Sequence, residues 1–127
     1  AGQLSEAEWN IMQQHPVLGA DYLLKIPGVP HLAVVTAYEH HMRFDGSGYP
    51  RCHQPWTQHL CSQMTAISDA YDAMRTHRTY DAPMDVEQIT AIMQNLAGTK
   101  LHPQLTRNFI DILNRLEISG HSSKPGN

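Results

Sequence analysis

An apolar helical run, Leu32, Val34, Val35 and Ala37, closes on two adjacent histidines, His40 and His41. It then drops at once into the glycine-rich loop Asp45-Gly46-Ser47-Gly48-Tyr49-Pro50. Neighbouring residues on a helix point about 100° apart. Two adjacent imidazoles on one helix therefore reach a common site only when it lies between two faces, as a pair of metal ions would. The alternative is that one histidine packs in the core while the other caps the helix end, where cationic side chains are favoured. Gly46 and Gly48 permit the tight backbone that such a loop needs.

The rest of the chain is punctuated for helices. Ser5 with Glu8 three residues on is a capping box, which predicts a helix start there. Trp9, Met12 and His15 follow at helical spacing. Pro16 then removes an amide donor and pushes His15 out of helical geometry. His15 is thus expected at a break, either aimed at a pocket or serving as a plain cap. Pro16 opens a second helix over Val17, Leu18, Tyr22 and Leu23, ending by Pro27-Gly28, and Pro30 starts the helix that carries the histidine pair. Residues 51–58 have no periodicity and read as loop.

A further helix is predicted from about His59 through Met74. Met64, Ile67, Ala70, Tyr71 and Met74 form its apolar stripe, with Thr65, Asp69 and Asp72 on a neighbouring strip. Asp69 is expected near the boundary of the core, where a carboxylate needs a cation or several hydrogen bonds; Arg75 or Arg78 is one source. Asp85 with Gln88 is a second capping box, opening a helix over Ile89, Ile92, Met93 and Leu96 that Gly98 stops. Pro103 opens the last helix, with Leu105, Phe109, Ile112, Leu113 and Leu116 as core, ended by Gly120. Residues 121–127 read as a flexible tail. There is no strand-like alternation and no repeat, so the class is all-α, with about five to six helices.

A chain of 127 residues is expected to form one domain. Its net charge of −3 with neutral histidines gives no global attraction to nucleic acid or to an anionic membrane, so any phosphate must be bound locally. No apolar run approaches the roughly 18 residues of a membrane span. The start lacks the regions of a signal peptide and reads as a cut inside a larger, cytoplasmic protein. Cys52 and Cys61 fit no zinc-knuckle spacing and read as free thiols. Histidine is the anomaly, nine residues against nine Lys plus Arg. His31, His53, His59 and His121 lack a partner pattern and are expected to be solvated.

His40-His41 followed by Asp45-Gly46-Ser47-Gly48-Tyr49-Pro50 resembles the signature of the HD-GYP family, bacterial metal-dependent phosphodiesterases that open cyclic di-GMP. Ile67-Ser68-Asp69-Ala70-Tyr71-Asp72-Ala73-Met74 with Arg78 and Tyr80 is similar to the family's next block, and Gly98 through His102-Pro103 to its closing one. The likeness covers about residues 4 to 116. It implies an all-α HD-type phosphohydrolase domain over 1–120, represented by its C-terminal part with N-terminal helices missing. Its implied metal ligands are His15, His40, His41 and Asp69. Arg78 would contact a substrate phosphate, and Gly48, Tyr49 and Pro50 would shape the rim. Asp45, Gly46 and Asp72 would support the ligands or the loop. No catalytic acid or base is assigned.

His and Asp ligands without a soft thiolate suit iron, manganese or zinc better than calcium or magnesium. Two such ions roughly 3.5 to 4 Å apart can orient a water in line at phosphorus and neutralise the charge that builds there. The resemblance further implies GGDEF-domain partners docking on the loop and an upstream receiver or sensor domain, as in a two-component response regulator. Three departures qualify the enzyme reading. The family's His-Asp doublet, nearby Lys and upstream His precede the matched region, so the two ions would be incompletely ligated here. Met42 stands where the family usually has Glu. Asp81 stands where a basic residue is usual. A non-catalytic module that binds GGDEF-type or other proteins is the alternative. Without the upstream helices, the faces bearing Val34, Val35, Ile67 and Met74 are expected to be partly uncovered, favouring a homodimer.

Overall fold

Ser5 Oγ accepts the Glu8 amide at 3.3 Å, and Glu8 Oε2 accepts the Ser5 amide at 2.8 Å. The capping box therefore closes in the computed structural model, which describes residues 3–76 and 84–121, the side chains of 119–121 excepted. It opens α1 (Glu6–Met12). The helices that follow are α2 (His15–Leu24), α3 (His31–Glu39), α4 (Leu60–Arg75), α5 (Val86–Leu96) and α6 (Pro103–His121). The described residues form no strand, only the isolated bridges Met42–Gly48 and Ala97–Leu101, so the all-α class holds. None of their helices is long and apolar enough to cross a membrane.

Packing divides the chain into two compact units, residues 1–66 and 67–127. In the first, α2 packs on α3, and Pro16, Ala20, Val34, Glu39 and Met42 are buried. In the second, α5 packs on α6. The second capping box forms, Asp85 Oδ1 accepting the Gln88 amide at 2.8 Å. Ile89 and Met93, one helical turn apart on α5, are fully buried, and Leu101, Thr106, Ile110 and Leu113 join them in burial. Tyr71 meets Phe109 edge-on at 5.4 Å. Replacing Met93 by alanine is expected to destabilise the fold by about 2–5 kcal/mol, the range for emptying a packed core position. Urea unfolding of the variant checks this as a lowered midpoint with an unchanged slope.

Several expectations are corrected. The histidine pair is not carried within a helix: α3 ends at Glu39, and His40 is its C-cap. Gly120 does not stop α6, which runs on to His121. Met64, Ile112 and Leu116 are exposed rather than core. On α6 the buried positions Thr106, Ile110 and Leu113 recur at i, i+4 and i+7, which leaves Ile112 and Leu116 on the flank. On the faces expected to be partly uncovered, Val34 and Ile67 are buried, at 8% and 2% exposed, while Val35 and Met74 are half-buried. His59 is exposed as expected, and its Nδ1 also accepts the Cys61 amide at 3.1 Å at the start of α4. Arg78, Tyr80, Asp81 and the tail from 122 lie outside the described residues.

Candidate metal centre

Two helix termini and one turn bring three imidazoles together in the first unit. His15 opens α2 directly after the Gln13-Gln14 turn, and Pro16 beside it is buried. His40 caps α3 at φ −63° and ψ −14°, and His41 follows as the chain leaves the helix. The rings of His40 and His41 lie 4.1 Å apart, and that of His15 lies 5.1 and 4.8 Å from them. One ring nitrogen from each histidine lies within 4.8 Å of the others, and all three residues are half-buried.

The hydrogen bonds settle which nitrogens face inward. His15 Nδ1 lies 2.6 Å from the Met12 carbonyl and His40 Nδ1 lies 2.7 Å from the Ala37 carbonyl. A carbonyl only accepts, so each Nδ1 carries the proton and each neutral ring presents a lone pair at Nε2. Those two Nε2 atoms face each other at 3.0 Å. Two lone pairs at that separation call for a cation between or beside them, a proton or a metal ion. The spacing is close to that of adjacent donors around one ion whose bonds are about 2.0–2.1 Å. Metal-bound histidines commonly donate their other N–H to a backbone carbonyl, which fixes tautomer and ring orientation. The donor set fits a transition ion.

The loop after the pair folds back on it. The Arg43 amide donates to Ser47 at 2.9 Å, and the Tyr49 amide to His41 at 3.2 Å. Gly48 sits at φ +86°, and a Cβ there would collide with the His41 carbonyl oxygen. The fold-back stacks Tyr49 on His41, with centroids 4.7 Å apart and planes at 24°. Trp9 and His15 meet the same ring edge-on, each at 6.1 Å. Burial pushes the Tyr49 phenol up from its ordinary value, so it stays neutral. Gly46 and Pro50 line, with Met42, Arg43, Ser47 and Trp56, a pocket of about 430 Å³.

At the tip, Asp45 Oδ1 accepts both the hydroxyl and the amide of Ser47, at 2.6 and 2.9 Å. These two bonds, hydroxyl first, hold the Asp45 carboxyl below its ordinary value. A depressed carboxyl favours the folded turn when ionised. The turn is therefore expected to be intact above about pH 4, the unperturbed carboxylate range, and to loosen as pH falls through the lowered value. A pH titration of the Ser47 amide resonance checks this, and Ser47→Ala should return Asp45 toward the ordinary value.

Asp69 and Asp72 lie exposed on α4, in the second unit, so Asp69 is not at the core boundary expected of it. The geometric group consists of the three histidines alone among the described residues. Met42 is buried, bridges Gly48, and its carbonyl accepts Gln58 Nε2 at 3.0 Å. Cys52 Sγ contacts the Tyr38 hydroxyl at 3.8 Å, and that contact, with burial, raises the Tyr38 phenol. Sequence reasoning passed over Glu39, which is 1% exposed and directly precedes the pair. No periodic signal marks it.

Comparison with known proteins places these residues in a group. The sequence profile of the HD domain family matches residues 1–105. A cyclic di-GMP phosphodiesterase of Thermotoga maritima is 30% identical over 112 residues, covering 87% of this chain and 30% of the relative. The 3'3'-cGAMP-specific phosphodiesterase 2 of Vibrio cholerae is 32% identical over 111 residues, covering 87% and 21%. The cyclic di-GMP phosphodiesterase response regulator RpfG of Xanthomonas campestris is 28% identical over 131 residues, covering 98% and 35%. The chain thus spans about a third or less of the length of these relatives. With its helical fold and the match over most of its length, this chain belongs to the HD domain family, of the HD-GYP type.

Proposed function

We propose that these residues form part of a metal-dependent phosphodiesterase that opens cyclic di-GMP. His15, His40, His41 and Asp69 would serve as ligands for two divalent transition ions, iron or manganese ahead of zinc. The observation that carries the reading is the pair of Nε2 atoms facing each other at 3.0 Å while both Nδ1 atoms are held by carbonyls. Bound divalent ions supply Lewis acidity toward a phosphodiester and lower the pKa of nearby water. His15 and His40 present Nε2 in one tautomer, and Tyr49 stacks on a face of His41. Arg78 would contact a phosphate, and Gly48, Tyr49 and Pro50 would frame the entrance. Cytoplasmic placement, GGDEF-type partners, an upstream receiver or sensor domain and a homodimer belong to the same proposal.

Catalytic sites commonly hold each ion by about three protein ligands and keep a position open, and four donors in all fall short of two such shells. The isolated 127 residues are therefore expected to turn over little substrate, and the deciding assay uses the full-length protein. It offers cyclic di-GMP and 3'3'-cGAMP with Mn²⁺ or Fe²⁺ and follows the linear product. Cleavage that His41→Ala abolishes supports the enzyme. Failure to cleave either dinucleotide, with the ion bound, would leave the second reading, a non-catalytic signalling module. Met42 in place of the usual Glu favours that reading, since its buried thioether offers no carboxylate to the site.

A further inference from the structure

Glu39 is 1% exposed, the most buried of the charged side chains described. Burial of a carboxylate is costly unless its oxygens are hydrogen-bonded. Its Oε1 accepts Trp56 Nε1–H at 2.8 Å, and its Oε2 accepts the His59 amide at 2.9 Å. Its main-chain carbonyl takes the Met42 amide at 2.8 Å and Gln58 Nε2 at 3.3 Å. The His59 carbonyl accepts the Gln63 amide at 3.1 Å, so His59 stands at the head of α4. The carboxylate thus faces the positive end of that helix. Trp56 also packs its ring on Tyr38, with centroids 5.6 Å apart.

We propose that Glu39 is a positioning residue for the histidine pair: its two oxygens tie the 56–59 strap to the end of α3 at the point where His40 and His41 leave the helix. This inference rests on the reading of the histidines as ligands. His40 is the next residue along, and the bond from its Nδ1 to Ala37 needs the last turn of α3 held in place. The next turn of chain is clamped from the same side, because Gln58 Nε2 bonds the carbonyls of both Glu39 and Met42. Two converging N–H groups need two acceptors. A glutamine offers one and turns its amino group toward the second donor, so charge and shape are both specified.

The test uses Glu39→Gln and the double variant Glu39→Gln with Trp56→Phe, which removes one of the two donors. Long-range ¹H–¹⁵N spectra of the imidazoles in metal-free protein report the tautomers directly, and Co²⁺ absorbance reports affinity. In the wild type, His15 and His40 are expected as Nδ1–H tautomers. In Glu39→Gln the His40 signature should be lost and Co²⁺ affinity should fall about 10 to 100-fold, the typical cost of removing a supporting partner. The double variant should recover most of both, since its amide carbonyl serves His59 without an opposing donor. Wild-type histidine spectra and affinity in Glu39→Gln would overturn the proposal. So would a double variant no better than the single one, the arm that decides if Glu39→Gln is poorly folded. If the wild type binds no Co²⁺, the ligand reading falls, while the imidazole spectra still decide the role of Glu39.

Discussion

Replacing His40 by alanine is expected to reduce affinity for Mn²⁺, Co²⁺ or Zn²⁺ by well over the roughly 10 to 100-fold that loss of a supporting partner costs. His40 Nε2 lies 3.0 Å from His15 Nε2, and its ring centroid lies 4.1 Å from that of His41. Without it only two of the three converging rings remain, and the facing pair of Nε2 atoms is gone. The fold should survive, because His40 is half-buried and its backbone bond to Thr36 is unaffected by side-chain truncation. Isothermal titration of wild type and His40→Ala, each alongside a thermal melt, checks both halves. Equal affinities would mean that His40 is not a ligand. His15→Ala should behave alike, whereas His31→Ala, an exposed residue at the start of α3, should change nothing.

The parts of this structure that were legible in the sequence are those decided within one turn of chain. Ser5 with Glu8 and Asp85 with Gln88 satisfy orphan amides across three residues, so the pattern alone locates both helix starts. Gly98 stops α5 because the chain turns there at φ +91°. Gly120 carried the same signal and did not stop α6. A glycine in a helix costs only about 1 kcal/mol relative to alanine, which the neighbouring turns can absorb.

What depends on packing was harder to read. The setting of His15, His40 and His41 marks them as candidates, but their closeness arises because the chain leaves α3 at His40 and the loop folds back. No helical wheel contains that information. Glu39 shows the limit most clearly. Its two partners lie 17 and 20 residues away, and a single Glu at the end of an apolar run looks like any solvated charge. Asp69 rests on resemblance, since its exposed place on α4 distinguishes it from no other surface carboxylate.

Gly48→Ala is expected to weaken the site through the loop that covers it. Its cost has two sources that reinforce each other. The residue sits at φ +86°, which for a residue with a Cβ costs about 1–2 kcal/mol. The added carbon also meets the His41 carbonyl oxygen, a main-chain atom that cannot rotate aside. That carbonyl accepts the Tyr49 amide, so relieving the clash pulls the loop away from His41 and removes the Tyr49 ring from its face. Gly46 supplies the control. It has nearly the same backbone angle, φ +85°, yet nothing lies within 4 Å of a Cβ built there, so Gly46→Ala suffers the conformational cost alone. Gly48→Ala should therefore lower metal affinity about 10 to 100-fold, in the range of a lost supporting partner, while Gly46→Ala should leave it within a few-fold of wild type. The ring-current shift of the His41 imidazole protons reads out the stack directly. If the two variants bind metal equally and both keep that shift, the collision is absorbed elsewhere and Tyr49 does not depend on Gly48 for its place against His41.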